Sequence, residues 1–259
     1  MNFSILITTY NQEKYLLRCI NSCIAQNYKK SFEVIVCDTS LKSNYHIVKH
    51  FNKKNFHYFH KKKFSDDSIM DQTLKNYFMF KKSKGKVVCF LDGDDFFFKN
   101  KLRSISKIIT NNSANHDKPI YFFEKNKKKK KSQISFLKKN LFYNKLINNW
   151  PIVLGTSCIS TNREVLIKFF KNINNFKYNL LAIDIKLAIF SKKFYKYRII
   201  NKYLTYKSIN DHNLDHNFNN FFSKIYWSRK KQQFDYSKSI GNFEFNINYI
   251  ITRFVCLFF

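Results

Sequence analysis

The sequence predicts an α/β fold: a three-layer sandwich with helices on both faces of a mostly parallel central sheet. Three observations carry this. Apolar runs (ILITT, FEVIVC, VVCFL) alternate with longer segments whose apolar residues recur at three-four spacing. Those runs are apolar on both faces, as buried parallel strands require. Each of them also leads into a polar or acidic residue, the pattern expected where the carboxyl ends of strands open onto a ligand cleft.

Taken in order, residues 3 to 9 form a buried strand that ends at TTYN. Asn11 is a suitable N-cap for a helix whose apolar face is Tyr15, Leu16, Cys19, Ile20, Cys23 and Ile24. Phe32 to Cys37 is the second strand, with Asp38 at its end, and Phe56 to Phe59 a short third. Ile69, Met70, Thr73, Leu74, Tyr77 and Phe78 mark an amphipathic helix that Gly85 closes. Val87 to Leu91 is a strand that delivers Asp92, Gly93, Asp94 and Asp95, and a helix from about Lys101 to Thr110 follows. Beyond it, Pro119 to Phe123 reads as a strand, and the five lysines 127–131 repel one another and read as a solvated loop or a contact for an anionic partner. Ile152 to Ser160 is strand-like, Asn162 caps a helix through Phe170, and a further helix spans roughly Leu180 to Ser191. Tyr203 to Lys207 is strand-like, and the remainder reads as two helical segments.

The chain has 259 residues, 44% of them apolar, enough for a sizeable core, and only 4 Gly and 2 Pro, which excludes collagen-like and linker-rich classes. Its formal charge of +30 has three readings: a lysine-rich compositional bias of an AT-rich genome, attraction to an anionic membrane face, or nucleic-acid binding. No nucleic-acid-binding signature accompanies the charge, so no nucleic acid is expected as a partner, although a basic nucleic-acid-binding protein stays open as an alternative class. The six cysteines lie in apolar stretches without CxxC pairs, which points to reduced thiols and a cytoplasmic location. No signal peptide is visible, and no apolar run reaches the roughly 18 residues of a spanning helix. The segment FNINYIITRFVCLFF either packs as a last helix or touches a membrane interface, as a protein peripheral on the cytoplasmic membrane face would.

Three aspartates within four positions repel one another unless a cation or hydrogen-bond donors offset their charge. A hard divalent ion, Mg²⁺ or Mn²⁺, suits carboxylate and phosphate oxygens. Gly93 between two aspartates lets the backbone bend closely around a ligand. An acidic turn that only caps the next helix is the alternative.

The run ILITTYNQEKYLLRCINSCIAQNYKKSFEVIVCDTS, followed about 50 residues later by SKGKVVCFLDGDDFFFKNKL, resembles the inverting family 2 glycosyltransferases of the GT-A fold. A weaker likeness continues through GTSCISTNREVL and the Asp184 helix, so about 200 residues are covered. The resemblance implies a GT-A-like three-layer domain: residues 1–110 as the nucleotide-sugar-binding half, 111–207 as the acceptor-binding half and 208–259 as a helical C-terminal extension. It implies a nucleotide-sugar donor, a saccharide or glycolipid acceptor, and a role in surface polysaccharide or lipopolysaccharide synthesis. By position, Thr8, Tyr10, Glu13 and Asp38 line the nucleotide pocket, Asp92 lies near the ribose and diphosphate, Asp94 holds the metal, and Asp95 assists through neighbouring contacts.

Asp184, in the otherwise apolar LLAIDIKLAIF, is the candidate base, with a pairing to Lys186 or another cation near the helix as the alternative. His212 and His216 are candidates for reaching the diphosphate. Two departures from the family pattern stand out. TSLKSNYH follows Asp38 in place of an acidic, glycine-rich DGSTD, and SIMDQTLKN stands where Ala-Arg-Asn is usual, with Asp71 and Gln72 either replacing its contacts or facing solvent. These departures keep a catalytically inactive relative of the same fold among the alternatives.

Overall fold

The computed structural model describes residues 1–51, 54–133, 152–210, 220–243 and 245–258. Its strands are β1 (Phe3–Thr9), β2 (Phe32–Asp38), β3 (Phe56–His60), β4 (Val87–Asp92), β5 (Phe96–Phe97), β6 (Ser113–Phe123), β7 (Lys129–Lys131), β8 (Ile159–Asn162) and β9 (Lys196–Ile209). Its helices are α1 (Glu13–Ile24), α2 (Tyr45–Val48), α3 (Ser68–Lys82), α4 (Lys101–Ile108), α5 (Arg163–Lys171), α6 (Ile183–Phe194), α7 (Lys224–Ser239) and α8 (Ile247–Val255).

One sheet runs β3-β2-β1-β4-β8-β6-β9-β5, with β7 added on β6. The β3-β2-β1-β4 half is parallel; β8 then pairs antiparallel with both β4 and β6, while β6 and β9 run parallel. The two-residue period of the strands sorts their side chains into two cores. Leu6, Ile35, Val88 and Phe90 face Met79 and Phe80 of α3, Phe169 of α5, Leu187 of α6 and Tyr236 of α7. Ile5, Ile7, Val34, Val36, Cys89 and Leu91 face Leu16, Cys19, Ile20 and Cys23 of α1 and Leu102 and Ile105 of α4. The predicted helix cover on both faces follows from this alternation. Cys19 and Cys23 sit on the buried stripe of α1, and all six cysteines are free.

Several local readings are corrected. The N-cap of α1 is Gln12, without a side-chain cap; Asn11 instead takes a left-handed φ of 52° and its N–H donates to Ser40 Oγ at 2.7 Å. Asparagine tolerates that region well. Helix α3 ends at Lys82, and its last carbonyls are met by Arg163, whose Nη2 donates to Ser83 O at 2.6 Å. Gly85 serves a close approach rather than a cap, since a Cβ there would lie 2.4 Å from the Ser4 nitrogen. Lys129–Lys131 form an edge strand on β6, because backbone pairing outweighs the mutual repulsion of exposed ammonium groups; lysines also shield such an edge from further pairing. Of Ile152 to Ser160 only the end is strand: Gly155, at φ 102°, turns the chain into a 3₁₀ turn over Thr156–Cys158 before β8.

Charged groups are buried in this fold. Lys101 and Asp117 pair at 2.7 Å with neither side chain exposed, and Lys75 pairs with Asp71 at 3.0 Å. Lys186 does not pair with Asp184; its fully buried ammonium donates to Asn175 O at 2.9 Å, and burial pulls its pKa down to about 8. Below pH 8 the native state carries the full cost of that buried charge. The cost disappears as pH rises from about 8 towards the unfolded value of about 10.5, so this group makes the protein more stable on the alkaline side. Lys186→Met is therefore expected to remove a pH-dependent difference on the order of 2–3 kcal/mol. Urea melts of both proteins at pH 7.5 and pH 10 check this, and parallel pH profiles would contradict it. No helix among the described residues is long and apolar enough to cross a membrane.

Candidate active site

The parallel register places Thr8 beside Cys37 on one side and Asp92 on the other, and Thr9 beside Asp38. The carboxyl ends of β1, β2 and β4 therefore present Thr8, Asp38 and Asp92 along one edge. There the chain leaves β4 through Gly93, whose N–H donates to Thr8 O at 2.8 Å. A Cβ on Gly93 would lie 2.7 Å from Thr9 Oγ1 and 2.8 Å from Gln12 Oε1, so a larger residue would push the acidic turn off β1.

The Asp92 carboxylate is held on both oxygens. Thr8 Oγ1 donates to Oδ1 at 3.1 Å and Gln72 Nε2 at 2.6 Å, while Ser157 Oγ lies 3.4 Å from Oδ2 and accepts the Asp92 N–H at 3.0 Å. Gln72 thus reaches the acidic turn. Asp71 is buried against Lys75, Thr39 Oγ1 and the Phe64 N–H, and Gln72 is half-buried.

The Asp94 carboxylate accepts from Asn210 Nδ2 at 2.9 Å, and its carbonyl accepts from Arg18 Nη2 at 3.0 Å and Ser208 Oγ at 2.5 Å. Asp95 is buried and accepts from the Ser208 N–H at 2.7 Å. The end of β9 thus grips the turn that follows β4. Arg18 reinforces the grip from α1, pairing with Glu124 and lying 4.4 Å over the Phe96 ring.

Burial, reinforced by the charge of Asp94, pushes the Asp92 carboxyl up to about 6. Burial likewise raises Asp94, and burial together with the charges of Asp94 and Asp92 raises Asp95 well above the carboxylate range. Lys207 opposes the rise at all three. Its ammonium lies beside Gly155, 3.1 Å from where a Cβ would stand. A cluster this reluctant to ionise favours a cation. Among the described residues no group of three His, Cys, Asp or Glu side chains converges; one or two of the carboxylates of this turn could hold a divalent ion.

Asp38 is fully buried and accepts from the Ser40 N–H at 2.8 Å, Asn44 Nδ2 at 2.9 Å and Tyr58 OH at 2.6 Å. Burial alone would raise its pKa; these donors more than offset that and hold it below the usual value. Its carboxylate thereby organises the loop after β2. Tyr10 follows β1, with Lys63 Nζ 4.1 Å over its ring. Glu13, well exposed, pairs with His46 of α2 at 2.8 Å. Asp184 is buried in the first turn of α6, where Oδ1 accepts the Ile185 N–H at 2.8 Å and its charge helps, after burial, to raise the Tyr197 hydroxyl. A direct hydrogen bond joins Thr8 to Asp92, whereas Glu13 and Asp184 sit on separate elements. His212 and His216 lie outside the described residues.

Lys207, Ser208 and Asn210 carry no sequence signal as site residues, and Arg18 and Ser157 carry none beyond lying in the ILITTYNQEKYLLRCINSC and GTSCISTNREVL stretches.

Comparison with known proteins agrees with this fold. The family model described as glycosyl transferase family 2 matches residues 4–173. A glycosyltransferase of Rickettsia bellii is 36% identical over 112 residues, which is 42% of this chain and 15% of that protein. The Staphylococcus aureus poly(ribitol-phosphate) beta-N-acetylglucosaminyltransferase TarS is 33% identical over 112 residues, 42% of this chain and 19% of TarS. This chain thus spans less than half the length of these curated relatives. The crystal structure of S. aureus TarS 1-349 with UDP-GlcNAc superposes at a TM-score of 0.62 and 18% identity, covering 99% of this chain and 70% of that one. The Pyrobaculum calidifontis mannosyltransferase PcManGT with GDP-Man and Mn²⁺ superposes at 0.60 and 12%, covering 98% and 69%. The fold is GT-A-like, and the chain belongs to glycosyl transferase family 2.

Proposed function

We propose that the protein transfers a sugar from a nucleoside-diphosphate donor to a saccharide or glycolipid acceptor with inversion, assisted by Mg²⁺ or Mn²⁺, in the assembly of a surface polysaccharide or lipopolysaccharide. The observation that carries this reading is the acidic turn after β4, set beside Thr8 and gripped by Ser157, Ser208 and Asn210. Donors bound by structural relatives, UDP-GlcNAc and GDP-Man, support a nucleotide-sugar partner.

In this reading Thr8, Tyr10 and the loop organised by Asp38 receive the base and ribose, with Glu13 at the pocket margin. Asp92 faces the ribose and diphosphate, Asp94 holds the metal, and Asp95 keeps the turn in place through Ser208. When bound, the ion would offset charge on the departing diphosphate. Asp184 accepts the proton of the acceptor hydroxyl as its oxygen forms a bond to the anomeric carbon. The bond from that carbon to the diphosphate oxygen breaks, and its electron pair leaves with the nucleoside diphosphate. The first turn of α6 favours a carboxylate at Asp184, since helix N-termini stabilise negative charge.

A thermal-shift panel of nucleotide sugars with Mn²⁺ tests the reading, because a ligand that binds only the native state raises the melting temperature. With the donor so identified, Asp184→Asn should leave its dissociation constant within about threefold while transfer falls by at least about 100-fold, the scale of lost general-base catalysis. Transfer at wild-type rate by this variant would remove Asp184 from the mechanism.

A further inference from the structure

Helix α8 turns its aliphatic residues outward. Ile247, Ile250, Ile251 and Phe254, at three-four spacing, are 51%, 50%, 45% and 60% exposed, and Leu257 and Phe258 beyond them are 80% and 73% exposed. The opposite side of the helix fixes this orientation. Tyr249 packs its ring on Phe234 and Phe243, Thr252 is fully buried, Arg253 pairs with Asp235 of α7, and Cys256 Sγ donates to Trp227 O at 3.6 Å. A globular helix normally arranges the two sides the other way round, apolar inward and polar outward. An exposed apolar strip of this size marks an interaction surface.

Two observations select its occupant. The surroundings are basic: Lys224, Lys231 and Lys238 are exposed on α7, and Lys231 joins Arg253, Tyr249, Ile250, Phe254 and Leu257 around a recess of about 450 Å³ between the two helices. The whole chain carries +30, which opposes pairing with a second copy and favours an anionic surface. The nine residues of α8 are far too few to span a bilayer, so the helix would lie in the plane of the interface. It also lies beyond residues 4–173, so it is not part of the region that defines the family.

We propose that α8 and the adjoining lysines of α7 form a docking face for an anionic lipid bilayer, with Ile247, Ile250, Ile251 and Phe254 entering the acyl boundary and the lysines meeting lipid phosphates. This docking is independent of the donor and metal assignments.

The test is co-sedimentation of the whole chain with phosphatidylcholine vesicles and with vesicles containing about 30 mol% phosphatidylglycerol, at about 0.15 M salt. The wild type should partition onto the anionic vesicles only. Ile250→Asp with Phe254→Asp should cut partitioning by about tenfold or more, because both apolar insertion and charge are lost. The substituted side chains are solvent-exposed, so the circular dichroism spectrum and melting temperature should be unchanged. Lys231→Glu with Lys238→Glu, both exposed on α7, supplies a second variant, expected to weaken binding and flatten its salt dependence. Undiminished binding of the Ile250/Phe254 variant would assign the attraction to lysine charge alone and overturn the proposal. A wild type that ignores both vesicle types would overturn it too, whether it sediments as a monomer or as a dimer closed over α8.

Discussion

Asp94→Ala is expected to lower metal-dependent affinity for the nucleoside diphosphate by about 100-fold or more, since even partners one shell removed from a metal typically cost 10–100-fold. Isothermal titration with and without Mn²⁺ measures it, using the nucleotide that the thermal-shift panel selects. The same substitution should move the ligand-free protein in the opposite direction. The charge of Asp94 raises both Asp92 and Asp95, and Asp92, pushed up to about 6, is largely ionised and repelled at neutral pH. Removing one of three neighbouring acidic groups relieves that repulsion, so the apo variant should melt at the same temperature as the wild type or higher. Stability and function trade against each other at such a site. Equal Mn²⁺-dependent binding by variant and wild type would sink the metal assignment, and a much lower apo melting temperature would show that Asp94 is instead structural. The backbone contacts of Asp94 to Arg18 and Ser208 survive the substitution, which makes the two outcomes separable.

Asp117→Ala should cost about 3–5 kcal/mol of stability, the usual penalty for stranding one partner of a buried ion pair. Lys101 and Asp117 have no exposed side-chain surface, and the remaining partners of the ammonium, Ser157 O at 2.9 Å and Thr205 Oγ1 at 2.7 Å, are neutral. Replacing both charges, as in Lys101→Met with Asp117→Leu, should recover most of the loss, because an apolar pair of similar volume avoids the desolvation cost. Urea midpoints of the three proteins at pH 7 check this, and additive losses in the double variant would refute it. The pair also bears on the active site. Lys101 holds the Ser157 carbonyl, and the Ser157 hydroxyl accepts the Asp92 N–H, so Asp117→Ala should weaken donor binding as well.

The first half of the fold was legible because its strands are buried on both faces and its helices on one. Ile5, Ile7, Val34 and Val36 announce strands by composition, while Leu16, Cys19, Ile20 and Cys23 announce a helix by spacing. The acidic turn was legible for the same reason, as polar chemistry placed directly after an apolar strand. Other features depend on partners remote in sequence. Arg18 looks like an ordinary surface arginine on an amphipathic helix until Glu124 and Ser208 arrive beside it. Lys101, within a lysine-rich stretch, gives no sign that its ammonium is buried; only the arrival of Asp117 on β6 explains it. The strand at Lys129–Lys131 is written in the pairing capacity of β6, not in the propensity of lysine. The departure from the family pattern after Asp38 is met by Asn44 and Tyr58, which satisfy a carboxylate that the short sequence window leaves unexplained.

The grip of β9 on the acidic turn also has a meaning in time. A ribosome makes Asp92 to Asp95 when more than a hundred residues separate them from Ser208 and Asn210, and domains form as the chain emerges. Until β9 slots in between β6 and β5, the Asp95 carboxylate lacks the Ser208 N–H and the Asp94 carboxylate lacks Asn210. The acidic turn can thus gain its full set of hydrogen bonds only after residue 210 has left the exit tunnel.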